Sequence, residues 1–183
     1  MAQRVLTLAF MRPAPDDPWL NRLTGWASRH DLCHVELHFE TVNQCFSIMT
    51  GERAGLRARN LSNPNYVLVS LSVPTGEYES CLAYCRRVHD MGLVFDEGGM
   101  WRSYFGTTCC EQHSHTQGRT FCSKVVVEAL QYANSQEVQL LNPSSTTPSR
   151  LYDAVYRSPR LVLNSVPFKR RAITARGVVN GML

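Results

Sequence analysis

The chain has no apolar run near the roughly 20 residues that a membrane-spanning helix needs, so no membrane span is expected. Its N-terminal stretch, MAQRVLTLAFMRPAPDDP, holds an apolar run that is short and strand-like, and Pro and Asp follow at once. That is not the pattern of a signal peptide. The seven cysteines are an odd number with no CxxC pair, which argues against a secreted disulfide scaffold and for reduced thiols in the cytoplasm. Internal repeats and a recognisable interdomain linker are also missing. Finally, residues 154–183 contain no acid.

That last absence explains the net charge of +4. Residues 154–183 carry six basic groups, and the rest of the chain has 13 basic against 15 acidic residues. The excess belongs to a C-terminal segment, so residues 169–183 read as a basic tail on a domain spanning 1–168. Such a tail can make weak contacts with phosphate or anionic lipid, and nothing in it specifies a nucleic acid partner. With 44% apolar and 19% charged residues in 183, the body is that of one globular domain with a proper core.

Hydrophobic period orders the elements. RVLTLAF, residues 4–10, has strand composition. Asp16 or Asp17 can cap a following helix with Pro18 at its first position, and Trp19, Leu23, Trp26 and Ala27 form its stripe. CHVELHFE alternates strictly: Val35, Leu37 and Phe39 face one way, His34, Glu36, His38 and Glu40 the other. TVNQ turns, CFSIMT returns, and GLRARNL and YVLVSLSV are further strands. From Thr75, a plausible cap, Tyr78, Leu82, Cys85 and Val88 recur at helical spacing. A Gly- and aromatic-rich stretch with a short helix near Met100 to Phe105 leads to the helix of TFCSKVVVEALQ. Another helix follows Pro148, and RLVLNSVPF, residues 160–168, reads as a last strand. Helices segregated around a mainly antiparallel sheet make the class α+β.

Cys122 stands in the opening turn of its helix, where partial positive charge and unpaired N–H groups favour an anion. A thiolate also needs a proton acceptor nearby, and His34, at the start of a strand whose other face is apolar, is the natural base. A third group should fix the imidazole tautomer. Glu36 shares the His34 face; Ser47 and Thr50 on the return strand are alternatives until the hairpin register is known. The Cys122 N–H, with Gln117 as a further donor, would contribute to an oxyanion hole.

These motifs carry a resemblance. CHVELHFE, then FCSKVVVEAL, then TPSRLYDAV resembles the circularly permuted branch of the papain-like NlpC-type hydrolases, the YiiX-like proteins, related to the lecithin:retinol acyltransferase-type proteins. That group places its histidine strand before its cysteine helix, the reverse of ordinary papain-like enzymes. The resemblance runs from Arg4 to Tyr156 in element order, with about fifteen residues in recognisable motif. It implies a permuted papain-like fold, a nucleophile at Cys122, a base at His34 and no cofactor. Two positions depart: Lys124 stands where relatives often carry Glu, and Phe95 in GLVFDEGG replaces the Tyr of a Gly-x-x-Tyr-Asp segment that frames the cleft, near Asp96 and Trp101.

A competing reading is metal: Cys109, Cys110, His113, His115 and Cys122 are ligand types zinc accepts, but adjacent cysteines suit a tetrahedral site poorly, so no metal is expected. Cys81 and Cys85 read as core. The leading expectation is a thiol hydrolase that cleaves a peptide, isopeptide or amidase-type bond through an acyl-enzyme. A lipid acyltransferase or thioesterase with the same dyad, and an inactive binding module of the same fold, are the alternatives. A large apolar cleft beside Cys122 would favour lipid, and a polar open groove would favour peptide.

Overall fold

The structure is a computed structural model that describes residues 2–14, 16, 19–105 and 118–162; at 19–21, 26 and 105 it describes the backbone alone. Its centre is a five-stranded antiparallel sheet built from β1 (Gln3–Met11), β2 (His34–Phe39), β3 (Gln44–Ser47), β4 (Gly55–Arg57) and β5 (Tyr66–Pro74), in the order β4-β3-β2-β1-β5. The architecture is therefore α+β.

Register makes the two faces of this sheet unlike. Leu6, Leu8 and Phe10 of β1 lie opposite Phe39, Leu37 and Val35 on one side and Leu71, Val69 and Val67 on the other. Because strand side chains alternate, these apolar residues share a face, and all are buried. The reverse face carries polar groups, among them Thr7, whose hydroxyl meets that of Ser70 at 2.8 Å. A slip of one residue would exchange the two sets, so burial of one face fixes the register. The β2–β3 turn helps: Asn43 sits at φ 49°, a left-handed conformation that Asn tolerates better than most residues.

Helices cover the sheet. The helix α1 (Trp19–Ala27) follows β1, and α2 (Thr75–Met91) follows β5, burying Tyr78, Cys81, Leu82, Cys85 and Val88 as their spacing predicts. Gly92 ends α2 in the left-handed region at φ 61°, its N–H donating to the carbonyls of Val88 and His89; this terminator suits Gly because it lacks a Cβ. Then come β6 (Val94–Phe95), α3 (Glu97–Phe105), β7 (Arg119–Thr120), α4 (Cys122–Tyr132) and α5 (Pro148–Tyr156). Thr147 caps α5 by accepting the Arg150 N–H, with Pro148 at its first position.

Several expectations need correction. Thr75 does not cap α2: Pro74 holds that position, and the Thr75 hydroxyl instead donates to the Ala2 carbonyl at 3.0 Å, fastening the start of β1. In α1, Leu23 and Ala27 are exposed and Thr24 is buried, so the apolar period does not mark the buried face; the side chains of Trp19 and Trp26 lie outside the described residues, as do Asp17 and Pro18. The segment GLRARNL pairs only over Gly55–Arg57. The short parallel pair β6–β7 gave no period long enough to read. Of the last strand, an isolated bridge from Leu161 to Leu71 is present; residues 163–183, with the basic tail, lie outside the described residues.

Arg160 fastens that closing segment. Its guanidinium pairs with Glu77 at 2.6 Å, with Glu137, and with the Ser135 hydroxyl at 3.0 Å. Glu137 also accepts from Ser158 at 2.5 Å. Burial raises the Glu137 pKa, but the hydrogen bonds from Arg160 and Ser158 outweigh it and bring the carboxyl down from its ordinary 4.5 to about 2. A depressed acid stabilises the fold above its unfolded pKa and loses that contribution as pH falls through the folded one. Arg160→Leu, which strands a buried carboxylate, should cost about 3 kcal/mol and lower Tm by roughly 6–12 °C. Thermal melts between pH 7 and 2 check both points: the wild type should lose stability over the range 4.5 to 2, and the variant should have a flatter acid limb.

Candidate active site

His34 opens β2, and Glu36 follows two residues later on the same face. The imidazole Nε2 lies 3.1 Å from Glu36 Oε1. Cys122, the first residue of α4, stands beside the same imidazole, and the two line one small cavity. The structure thus brings Cys122, His34 and Glu36, 88 positions apart at the extremes, into one row. All three are buried, Glu36 completely.

Local structure explains the placement. Phe121, at φ −135° and ψ 165°, is the extended residue before α4, and no side chain caps that helix. The first N–H groups of a helix have no intrahelical partner, so the start of α4 presents its positive end at the sulfur. One residue on, the buried Ser123 hydroxyl donates to the Thr146 carbonyl at 2.6 Å, which pins the first turn to the loop before α5. On the other flank, Asp96 N–H donates to the Thr120 carbonyl at 2.7 Å, tying the chain that enters α4 to β6.

Glu36 has its own support. Ser47 donates to Oε1 at 3.1 Å, and Arg59 Nε lies 3.2 Å from the same oxygen. Arg59 also reaches Glu52 at 3.2 Å. Burial raises the Glu36 pKa, and the hydrogen bond and charge of His34, the Arg59 charge and the Ser47 hydroxyl together overcome it and lower the pKa. For His34, burial alone would lower the pKa; the Cys122 charge and hydrogen bond, with those of Glu36, reverse this and push it up to about 10. An imidazolium that persists through neutral pH is the counter-ion a thiolate requires.

Two other thiols are pushed toward the protonated form. Burial, then the Glu36 charge, push Cys45 up to about 12, and burial with a Cys81 hydrogen bond raises Cys85 well above its ordinary value.

The register places the alternatives relative to one another. Leu37 lies opposite Phe46, which sets Ser47 opposite Glu36 rather than His34. Ser47 therefore holds the carboxylate, and the carboxylate holds the imidazole. Thr50 lines the cavity above Cys122. Gln117 lies outside the described residues, as do Cys109, Cys110, His113 and His115. Lys124 is buried beside Glu128, at 4.0 Å, so the position that departs from the resembled family forms an ion pair along its own helix. His30 pairs with Asp153 of α5 at 2.8 Å. Asp96 accepts the Gly99 N–H at 2.9 Å and shapes the start of α3.

Two contributors were not anticipated. Arg59 lies in a segment read as an ordinary strand, and no sequence spacing points it at Glu36. The cavity at Cys122 is small, about 20 Å³, with Met11, Met49, Phe95 and Met100 among its walls. Phe95 also walls a groove of about 700 Å³ that bears Glu52, Arg53, Glu97 and Arg119. Among family models, curated proteins and solved structures, none matches this chain.

A carboxylate that holds an imidazolium should be felt in its titration. Glu36→Gln should lower the pH at which His34 loses its proton by about one unit or more, while Ser47→Ala, one contact further out, should move it less. The check is the pH profile of Cys122 alkylation in the two variants. A larger shift in Ser47→Ala would make the hydroxyl the orienting group.

Proposed function

We propose that the protein is a thiol hydrolase that cleaves an amide or ester through an acyl-enzyme on Cys122. One observation carries the reading: a cysteine on the first residue of a buried helix shares a cavity with an imidazole that a buried carboxylate holds at 3.1 Å. In this reading the Cys122 sulfur attacks the substrate carbonyl while the Cys122 N–H, at the helix start, faces the developing oxyanion. The His34 imidazolium then gives its proton to the leaving group, and the neutral imidazole activates the water that releases the acyl product. Glu36 keeps the ring oriented and stabilises its charge.

The same arrangement supports a permuted papain-like fold. The base lies on a strand of the central antiparallel sheet, the nucleophile starts a later helix packed on that strand, and a capped Pro148 helix closes the core. Between acyl classes, the surroundings of Cys122 favour peptide over lipid. The cavity at the sulfur is too small for an acyl chain, and the groove beyond it is walled by charged residues. Among the described residues, no helix is long and apolar enough to cross a membrane.

Trace iodoacetamide followed by peptide mass mapping tests the assignment. Cys122 should be alkylated first, at least about tenfold faster than the other thiols, and His34→Gln should bring it down to their rate. Should Cys109 or Cys110 react first in the folded protein, with Cys122 modified only on unfolding, the nucleophile is misassigned. A Cys122 no faster than a free cysteine would favour a binding module without chemistry.

A further inference from the structure

Two spaces of very different size meet at Phe95. The one at Cys122 measures about 20 Å³, room for about one water molecule. The groove beside it measures about 700 Å³, within the range of sites that hold an extended ligand. They share Phe95, and consecutive residues Thr50 and Gly51 line the first and the second. A substrate that lies in the groove and reaches the sulfur must pass its reacting carbonyl into the smaller space.

We propose that the acyl residue this site accepts is glycine, at the end of a polar polypeptide stretch that occupies the groove. The inference rests on the thiol-hydrolase reading and names its substrate class. Steric room decides it. Met11, Met49, Phe95 and Met100 stand around the sulfur together with Thr24, Cys33 and Thr50, and a space that holds about one water molecule favours the acyl residue with the least bulk beside its carbonyl. Forcing extra methylenes into a space already filled is unfavourable.

The groove has the opposite character. Glu52 and Arg53 stand on one wall, with Glu97 and Arg119 also lining it. Gly51, at φ +81° with open space where a Cβ would stand, leaves bare backbone that an extended chain can approach closely. Charged walls and accessible backbone suit a polypeptide and oppose an aliphatic chain. Arg59 joins the two regions, since it contacts Glu52 of the groove and Glu36 of the catalytic row.

The chemistry balances without a further reactant. The Cys122 sulfur bonds to the glycyl carbonyl carbon, the C–N bond breaks, and the amine leaves with the proton of the His34 imidazolium. Water then adds to the glycyl thioester and gives one proton to His34, the C–S bond breaks to return the thiolate, and the released glycyl carboxylic acid gives its remaining proton to the amine product or to solvent.

Three peptidyl acyloxymethyl ketones, identical except for glycine, alanine or leucine next to the electrophile, test the inference on the full chain, with labelling of Cys122 followed by intact mass. The glycine probe should label at least about tenfold faster than the alanine probe, and the leucine probe slower still. Met49→Ala, which widens the cavity, should narrow those ratios. Equal rates for the three probes, or no labelling by any of them while iodoacetamide still selects Cys122, would overturn the glycine assignment and leave the thiol-hydrolase reading standing. Ratios unchanged in Met49→Ala would overturn the steric argument. If iodoacetamide itself fails to select Cys122, the hydrolase reading falls and the glycine assignment with it.

Discussion

A carboxylate with no exposed surface stands on the central strand of the sheet: Glu36 of β2. Taking an ionised carboxylate out of water is costly unless charge and hydrogen bonds replace its hydration. Here they come from three directions, the His34 imidazole, the Ser47 hydroxyl and the Arg59 guanidinium, all on one oxygen. Each partner depends on correct sheet geometry. His34 needs the alternation of β2, Ser47 needs the register of β2 with β3, and Arg59 needs the turn of chain after β4. The electrostatics of the candidate site are thus a readout of strand pairing. An imidazolium between a carboxylate and a sulfur is stable only while all of those pairings hold.

The fold was legible where one periodicity persisted. The nine residues of β1 and of β5, and the seventeen of α2, declare themselves by apolar spacing. Short elements did not: β6 and β7 have two residues each, too few to show a period. The apolar stripe of α1 misled because Leu23 and Ala27 are left exposed although their spacing is that of a buried face. Thr75 misled because a tertiary partner, the Ala2 carbonyl, took the hydroxyl that local preference assigned to capping.

For the candidate site, the row of Cys122, His34 and Glu36 could be named because each residue sits at a recognisable place: a helix start, a strand start, and two residues along the same face. The order among Glu36, Ser47 and Thr50 could not, since it depends on a cross-strand register that leaves no mark in either strand alone. Arg59 was invisible for a related reason. Its partner is 23 positions away and on another strand, and nothing in GLRARNL distinguishes an arginine that faces water from one that faces a buried carboxylate. The cavity walls were equally hidden, because methionines at 11, 49 and 100 converge only in three dimensions.

The chain order of these parts has a consequence for biogenesis. The sheet is complete by Pro74, and with it the Glu36–His34–Ser47–Arg59 network, whereas Cys122 is synthesised 48 residues after that point. Synthesis runs from the N-terminal side, so His34 and its counter-charges leave the ribosome before the sulfur. Until α4 docks, the thiol is apart from the His34 imidazole. A protein of the reverse order would display its cysteine before its histidine strand had formed. In this one the carboxylate and the imidazole precede the sulfur, and the three meet only when α4 packs on β2.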